Sequence, residues 1–389
     1  MLSLKLALKN LFGAGLRTWL TVAVLSFAFV VIVFYNGLLD GWNIQARRDT
    51  EAWEIGGGQF WHPLYDRFDP FSLQDAHTNL STEVSDLWTA NKLTPVLITQ
   101  ATAYPQGRMI NVLLKGIDPD QGIVSLPTAA LKGDSAIIPA LIGKRMAASA
   151  NLHLGDEVLV RWRDKNGVFD AREITIVKIF SSNVSTIDNG QVWLPLDRLQ
   201  QMTGLTNEAT LLMAAQGAEI KALTGWTFQS SHELLKNFDE IIKTKKAGSR
   251  MMYGLLLAIA LLAIFDTQIL SIFRRQREIG TYMALGMTRG QVIRLFTVEG
   301  SVHSVLALLL ASLYGVPLLH WLHQHGIPMP QAFDSAGMAI AEKLIPIYSL
   351  GMVLSSMVLV VASTVVVSYL PTRKIARMKP TEALKGRAL

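Results

Sequence analysis

The chain has 389 residues, 50% of them hydrophobic and 17% charged, with no cysteine and a formal net charge of +6. Soluble domains carry roughly 25% charged residues, so this composition excludes an ordinary water-soluble enzyme, and the missing cysteines exclude a disulfide framework. The pI of about 9.4 arises from where the basic residues fall along the chain and is not read as nucleic-acid affinity.

In chain order, residues 1–17 place Leu4, Leu8, Leu11 and Phe12 at helical spacing beside Lys5 and Lys9. That pattern predicts an amphipathic helix lying in a membrane interface; the plainer alternative is a charged start to an anchor. Residues 18–39 then run 22 positions without a charge. At about 1.5 Å per residue such a stretch crosses a hydrocarbon core of about 30 Å. A cleavable signal has an apolar region of about 7–15 residues, whereas this one continues through Tyr35 and Asn36 to Leu39, so it reads as an uncleaved first span.

Residues 40–250 form a long polar segment, enough for one large or two small domains. Asp156–Trp162, Glu173–Phe180 and Gln191–Leu194 are rich in Val, Ile and Trp and suit strands. Ala140–Ala150 and Leu196–Met202 read as helices, and Ser230–Lys246 leads helically into the second span. Gly56, Gly57 and Gly58 mark a turn or flexible crossing early in this domain.

Three more apolar stretches follow: 251–273, interrupted only by Asp266, then 300–322, and 344–370. The expected fold is therefore an α-helical membrane protein with four transmembrane helices and a large mixed α+β domain inserted between helices 1 and 2. Residues 1–17, 274–299 and 371–389 together hold 14 basic and 3 acidic residues. Short positive loops stay in the cytoplasm, which places both termini and the 274–299 segment inside. The 40–250 domain and the 323–343 loop are then outside.

Between spans two and three, the chain is expected to continue as a basic stalk, break near Gly286, and restart as a helix capped by Thr288. Val292, Leu295 and Phe296 give that helix an apolar face. On physical grounds alone it is either an interfacial connector or a knob that engages a cytoplasmic partner.

Two polar features lie inside the spans. Asp266 sits eight residues before Arg274, roughly 12 Å into the membrane by helical rise. A charge there costs on the order of 2.5–3.5 kcal/mol, so it is expected to face a partner span or a wet cavity. His303, His320, His323 and His325 gather in or beside span three. No carboxylate completes a ligand set with them, so no metal site is assigned.

The run Arg277-Glu-Ile-Gly, then Ala284-Leu-Gly-Met-Thr-Arg-Gly-Gln-Val, then Glu299-Gly300 resembles the FtsX-like permease domain of the MacB, LolC/LolE and FtsX group of ABC transporter permeases. The tail from Pro371 to Lys385 is similar to that family's closing motif, with a Pro-x-Glu-Ala-Leu end. Gly116-Ile-Asp-Pro and Leu152-His-Leu-Gly-Asp-Glu-Val resemble its MacB-like periplasmic core domain. In size and layout the chain is most similar to the LolC/LolE lipoprotein-releasing type.

The resemblance implies an inner-membrane permease subunit with no catalytic, cofactor or metal site of its own. ATP and Mg2+ would be bound by two copies of a separate ABC ATPase, with a second permease copy or a paralogue completing the assembly. Membrane lipid and a periplasmic carrier or adaptor are the further partners it implies. The nearest string to a phosphate loop, Ala140-Leu-Ile-Gly-Lys-Arg145, lacks the first glycine and the Ser or Thr that such a loop needs. Glu278, Ala284, Leu285, Gly286, Met287, Thr288 and Arg289 would couple to the ATPase, with the stalk passing its motion through span two. Phe27, Phe34, Tyr35, Met251 and Tyr253 are candidates to line a path for a lipid-anchored substrate, against the plainer reading that they are packing or lipid-facing residues. A MacB-like drug or peptide exporter, or an FtsX-like device that activates a periplasmic hydrolase, are the rival expectations.

Overall fold

The computed structural model describes residues 16–133, 137–328 and 343–375. The interfacial helix expected at residues 1–17, most of the 323–343 loop and the tail motif beyond residue 375 lie outside those residues. The chain divides into two compact units. One takes Met1–Trp42, Ile241–Ile327 and Ile345–Leu389, and the other Asn43–Glu240 and Pro328–Leu344.

In the second unit, nine strands form one sheet: β1 (Gly58–Trp61), β2 (Leu93–Ala103), β3 (Ile110–Ile117), β4 (Pro139–Gly143), β5 (Glu157–Arg163), β6 (Phe169–Phe180), β7 (Gln191–Pro195), β8 (Leu211–Ala214) and β9 (Thr227–Ser230). Their spatial order is β9-β1-β8-β2-β3-β7-β4-β6-β5, and β5 returns to pair with β2. That last pairing, Ala101 with Trp162 through Ala103 with Val160, closes β2, β3, β7, β4, β6 and β5 into a six-stranded barrel, which leaves those strands no free edge. β5 shows the cause in its sequence. Val158, Val160 and Trp162 are buried, while Glu157, Leu159, Arg161 and Arg163 between them are exposed, the period of two expected of a strand with one buried face.

Leu97, Leu114, Ile142, Trp162, Ile176 and Val192 meet in one core cluster. Helix α2 (Thr82–Thr89) packs beside the sheet, and helices α3 (Lys144–Ala150) and α4 (Leu196–Thr203) contribute to that core. The buried Trp162 indole N–H donates to the Met202 carbonyl at 2.9 Å, so its polar atom is not orphaned. The helix expected over Ala140–Ala150 begins only at Lys144. Residues 139–143 are a fully buried strand paired parallel to β6 and antiparallel to β7, because a short, wholly apolar run fits a central strand as well as a helix.

Two ionisable groups are hidden in this unit. The Asp188 carboxylate accepts from the backbone N–H groups of Lys144 and Arg145 at 2.9 and 3.2 Å, and from the Arg145 guanidinium at 3.0 Å. Burial raises its pKa, and those bonds oppose the rise. Lys115, on β3, lies opposite Trp193 of β7 with its Nζ 5.0 Å from the indole ring. Burial lowers its pKa, while the nearby Glu54 favours the charged form.

The helical unit holds four helices long and apolar enough to cross a membrane: Trp19–Ile55, Ile242–Arg274, Arg289–His325 and Leu350–Arg373. They belong to α1 (Leu16–Thr50), α5 (Lys236–Arg274), α7 (Arg289–His325) and α8 (Leu350–Ile375). A helix of nine residues, α6 (Gln276–Ala284), lies between α5 and α7. α1 supplies most of the shared core, with Val22, Leu25, Phe29 and Val33 packed against Leu257 and Ile264 of α5, Ala307 and Ala311 of α7, and Val360 of α8. Hydroxyls bridge the helices at Thr21–Thr267, Ser26–Tyr314 and Thr297–Thr372, at 3.2–3.3 Å. Leu255, Ile259 and Leu262 on α5 and Leu309, Leu313 and Val316 on α7 are exposed, the arrangement expected where lipid replaces water as solvent.

Candidate coupling site between spans two and three

The segment that joins the second and third spans is built as a braced hairpin. α5 ends at Arg274, and Arg275 leaves helical geometry with φ −103° and ψ 14°. α6 then runs from Gln276 to Ala284 before the chain turns at Leu285 and Gly286. The stalk is therefore not one rod continuous with span two, as the sequence suggested. Gly286 has φ +95°, a region where a side chain is strained, and this lets Met287 N–H reach the Tyr282 carbonyl at 3.0 Å. Thr288 then caps α7 reciprocally with Gln291: its hydroxyl accepts from Gln291 N–H at 3.4 Å, and the Gln291 side chain accepts from Thr288 N–H at 2.9 Å.

The two arms are held by an apolar cluster and an ionic one. Ile272 and Ile279 bury against Val292, Leu295 and Phe296, with Met283 and Met287 packed on them. The Arg275 Nη1 reaches both Glu299 oxygens at 3.1 and 2.9 Å, and its Nε reaches Glu278 at 2.7 Å. Its guanidinium also lies over the Phe296 ring, 5.0 Å from the centroid. Burial works against the charge, but Glu278 and Glu299 outweigh it and raise the Arg275 pKa.

The residues singled out from sequence separate accordingly. Ala284, Leu285, Gly286, Thr288 and Arg289 are exposed at the tip, and Leu285 is 81% exposed. Met287 turns inward onto the apolar cluster, and Glu278 is engaged by Arg275. The frame thus presents an exposed leucine, Leu285, close in sequence to an exposed arginine, Arg289. Arg275 and Glu299 escaped sequence reasoning as a pair. They stand 24 residues apart, and no local periodicity links them.

Just beyond this frame, α5, α7 and α8 converge on Gly300. A Cβ at that position would fall inside the Ser368 side chain and lie 2.8 Å from Gln268 Nε2. Gln268 and Ser368 are both buried there, and Glu299, His303, Ser304 and Thr364 on the same helices are buried as well. Small residues allow such close helix approach in an apolar medium.

Asp266 is exposed on α5. Phe27 and Met251 are exposed, whereas Phe34, Tyr35 and Tyr253 are half-buried. The histidines bond to their surroundings: His303 Nδ1 with the Gly300 carbonyl, His323 Nδ1 with the Pro346 carbonyl, His325 Nδ1 with the Trp321 carbonyl and His320 Nε2 with Gln324. Among the described residues no group of three or more His, Cys, Asp or Glu is placed to hold a metal ion.

Residues 250–380 match the family model described as the FtsX-like permease C-terminal domain. Among curated proteins, the macrolide export ATP-binding/permease protein MacB of Bordetella avium is 22% identical over 323 residues, covering 76% of this chain and 46% of that protein. Its namesake from Chromobacterium violaceum is 28% identical over 155 residues, covering 38% and 22%. The chain thus spans less than half the length of the curated relatives it matches. Among solved structures, the periplasmic region of MacB from Actinobacillus actinomycetemcomitans aligns with 48% of this chain and 94% of its own length, at 12% identity and a TM-score of 0.32. The extracellular domain of the transporter YknZ from Gram-positive bacteria aligns with 42% of this chain and 83% of its own, at 14% identity and a TM-score of 0.27.

Proposed function

We propose that this chain, an ABC permease of the FtsX/MacB type, is the membrane subunit of a transporter whose ATP is hydrolysed by a separate ATPase, and that it converts that subunit's motion into movement of its large domain. The observation that carries the reading is the hairpin tip, with Leu285 bare on a frame held by Arg275 and a buried apolar cluster. A docking element must resist the load it transmits, and a preorganised tip loses little entropy when it binds. In this reading the hairpin and both termini lie in the cytoplasm and the barrel lies in the periplasm, in keeping with the basic residues of 274–299.

Two permeases, either identical or paired with a paralogue, would bind two ATPase copies carrying ATP and Mg2+. The cargo we favour is a lipoprotein or similar lipid-anchored molecule taken from the outer leaflet of the inner membrane and passed to a periplasmic carrier. Phe27 and Met251 expose apolar surface that a lipid chain would meet. A second reading is supported by the curated relatives, whose names describe macrolide export: here the cargo would be a drug or peptide handed to a periplasmic adaptor.

ATPase turnover of the intact complex in lipid nanodiscs, titrated with a triacylated lipoprotein or with a macrolide, tests both. Stimulation by lipoprotein alone supports the first reading, and stimulation by macrolide alone supports the second. Turnover indifferent to both contradicts each, and points to force transmission onto a periplasmic hydrolase.

A further inference from the structure

The hairpin has two arms, and only one is continuous with a span. On the span-two side, α5 and α6 are separated at Arg275, whose backbone leaves helical geometry and whose N–H is shared between the Ser271 and Ile272 carbonyls, both at 3.2 Å, and α6 has no side-chain cap at its start. On the span-three side, α7 runs from Arg289 to His325, with Pro317 near its far end. A push on residues 285–289 therefore meets a joint on one side and, on the other, a helix with no proline until Pro317, 28 residues from its start.

What holds the joint comes from α7. Glu299, on α7, receives two contacts from Arg275, and Phe296, on the same helix, lies under the guanidinium. Ile279 of α6 packs with Val292, Leu295 and Phe296 of α7. The Glu299 side chain is only 10% exposed, in a helix that continues into the apolar span, so its charge is costly without a partner.

We propose that Arg275 and Glu299 are positioning residues that lock α6 onto α7, so that motion imposed at the hairpin tip enters the membrane through span three. This rests on the reading of residues 284–289 as the ATPase docking point. It assigns span two the role of follower, in place of the direct stalk that the sequence suggested.

The full chain contains no cysteine, so cysteines introduced at two exposed positions, Thr281 on α6 and Ser312 on α7, carry a spin-label pair without background. Distances between them are measured by pulsed electron resonance in nanodiscs, in the chain alone and with its ATPase in nucleotide-free and ATP-trapped states. We expect one narrow distribution that does not change with nucleotide. In Glu299→Gln the distribution broadens already in the chain alone, ATPase binding persists, and the response of turnover to cargo falls about tenfold, the factor that 1.4 kcal/mol represents. Arg275→Lys keeps the charge but cannot span both carboxylates, so it broadens the distribution less.

Equal widths in the parent and Glu299→Gln would overturn the proposal, as would a nucleotide-driven change of the Thr281–Ser312 distance in the parent chain. If Glu299→Gln does not assemble, the same two criteria apply to Arg275→Lys. Failure of the ATPase to bind the parent chain would defeat the docking reading and, with it, the route through span three, whereas a brace that fails while docking persists leaves the function standing.

Discussion

The barrel and the helical unit keep their interiors closed by opposite means. In the barrel the largest fully buried side chains are Trp162 and Trp193. The helical unit also buries large residues such as Leu25 and Phe296, but its closest approach falls at small ones, since α5, α7 and α8 meet at Gly300, and Ser304, Ala307, Thr364 and Ser368 are buried with no exposed surface. The difference follows from the solvent each unit faces. A domain in water gains by removing apolar area from it, whereas helices among lipid tails gain by close packing and shared hydrogen bonds. Loss of bulk should therefore cost most in the barrel, and gain of bulk most where the helices meet at Gly300.

The largest expected effect is Trp162→Ala, which opens a cavity and removes the bond to Met202; truncation of a buried aromatic costs about 3–5 kcal/mol. It is read as a lowered unfolding midpoint of the barrel in the full chain, followed by tryptophan fluorescence. A midpoint equal to the parent's would break the argument that the barrel depends on its large residues. Next is Gly300→Ala, where one added methyl group should destabilise the bundle by about 1–3 kcal/mol through overpacking, measured by thermal inactivation in nanodiscs. Gly254, on α5, has open space where its Cβ would lie, so Gly254→Ala should leave stability unchanged or raise it by up to about 1 kcal/mol. If both alanines behave alike, close packing at Gly300 is not what orders the bundle.

Lys115 sharpens the comparison from the barrel side, because it is a charge hidden where bulk apolar groups prevail. Burial lowers its pKa from the ordinary 10.5, so the unfolded chain holds that proton more tightly than the folded chain does. Stability then rises with pH across the interval between the lowered value and 10.5. Lys115→Met should flatten that slope and stabilise the barrel at neutral pH, as replacing a buried charge by an apolar side chain of similar volume does. Unfolding midpoints taken at several pH values decide this, and an unchanged slope would mean that Trp193 and Glu54 fully support the charge.

The sequence showed most clearly what is periodic. Four apolar runs marked the spans, the Val- and Trp-rich stretch Asp156–Trp162 marked a strand, and Thr288 was legible as a helix cap. Pro139–Gly143 was not legible, since five apolar residues have no period to betray a strand. The joint at Arg275 escaped for a related reason: no glycine or proline announces it, and the residues that Arg275 contacts there, Glu299 and Phe296, are remote in sequence. Nor does the order Leu285-Gly286-Met287 tell which apolar side chain points out. The left-handed turn at Gly286 decides that, leaving Leu285 bare and folding Met287 inward.

That last distinction makes the central claim testable with one side chain. Affinity of the partner ATPase for the full chain in nanodiscs should fall at least about tenfold in Leu285→Asp, as a buried interface anchor worth 1.4 kcal/mol or more requires, while thermal stability of the chain stays at the parent value. Unchanged affinity would show that the hairpin tip is not where the motor engages.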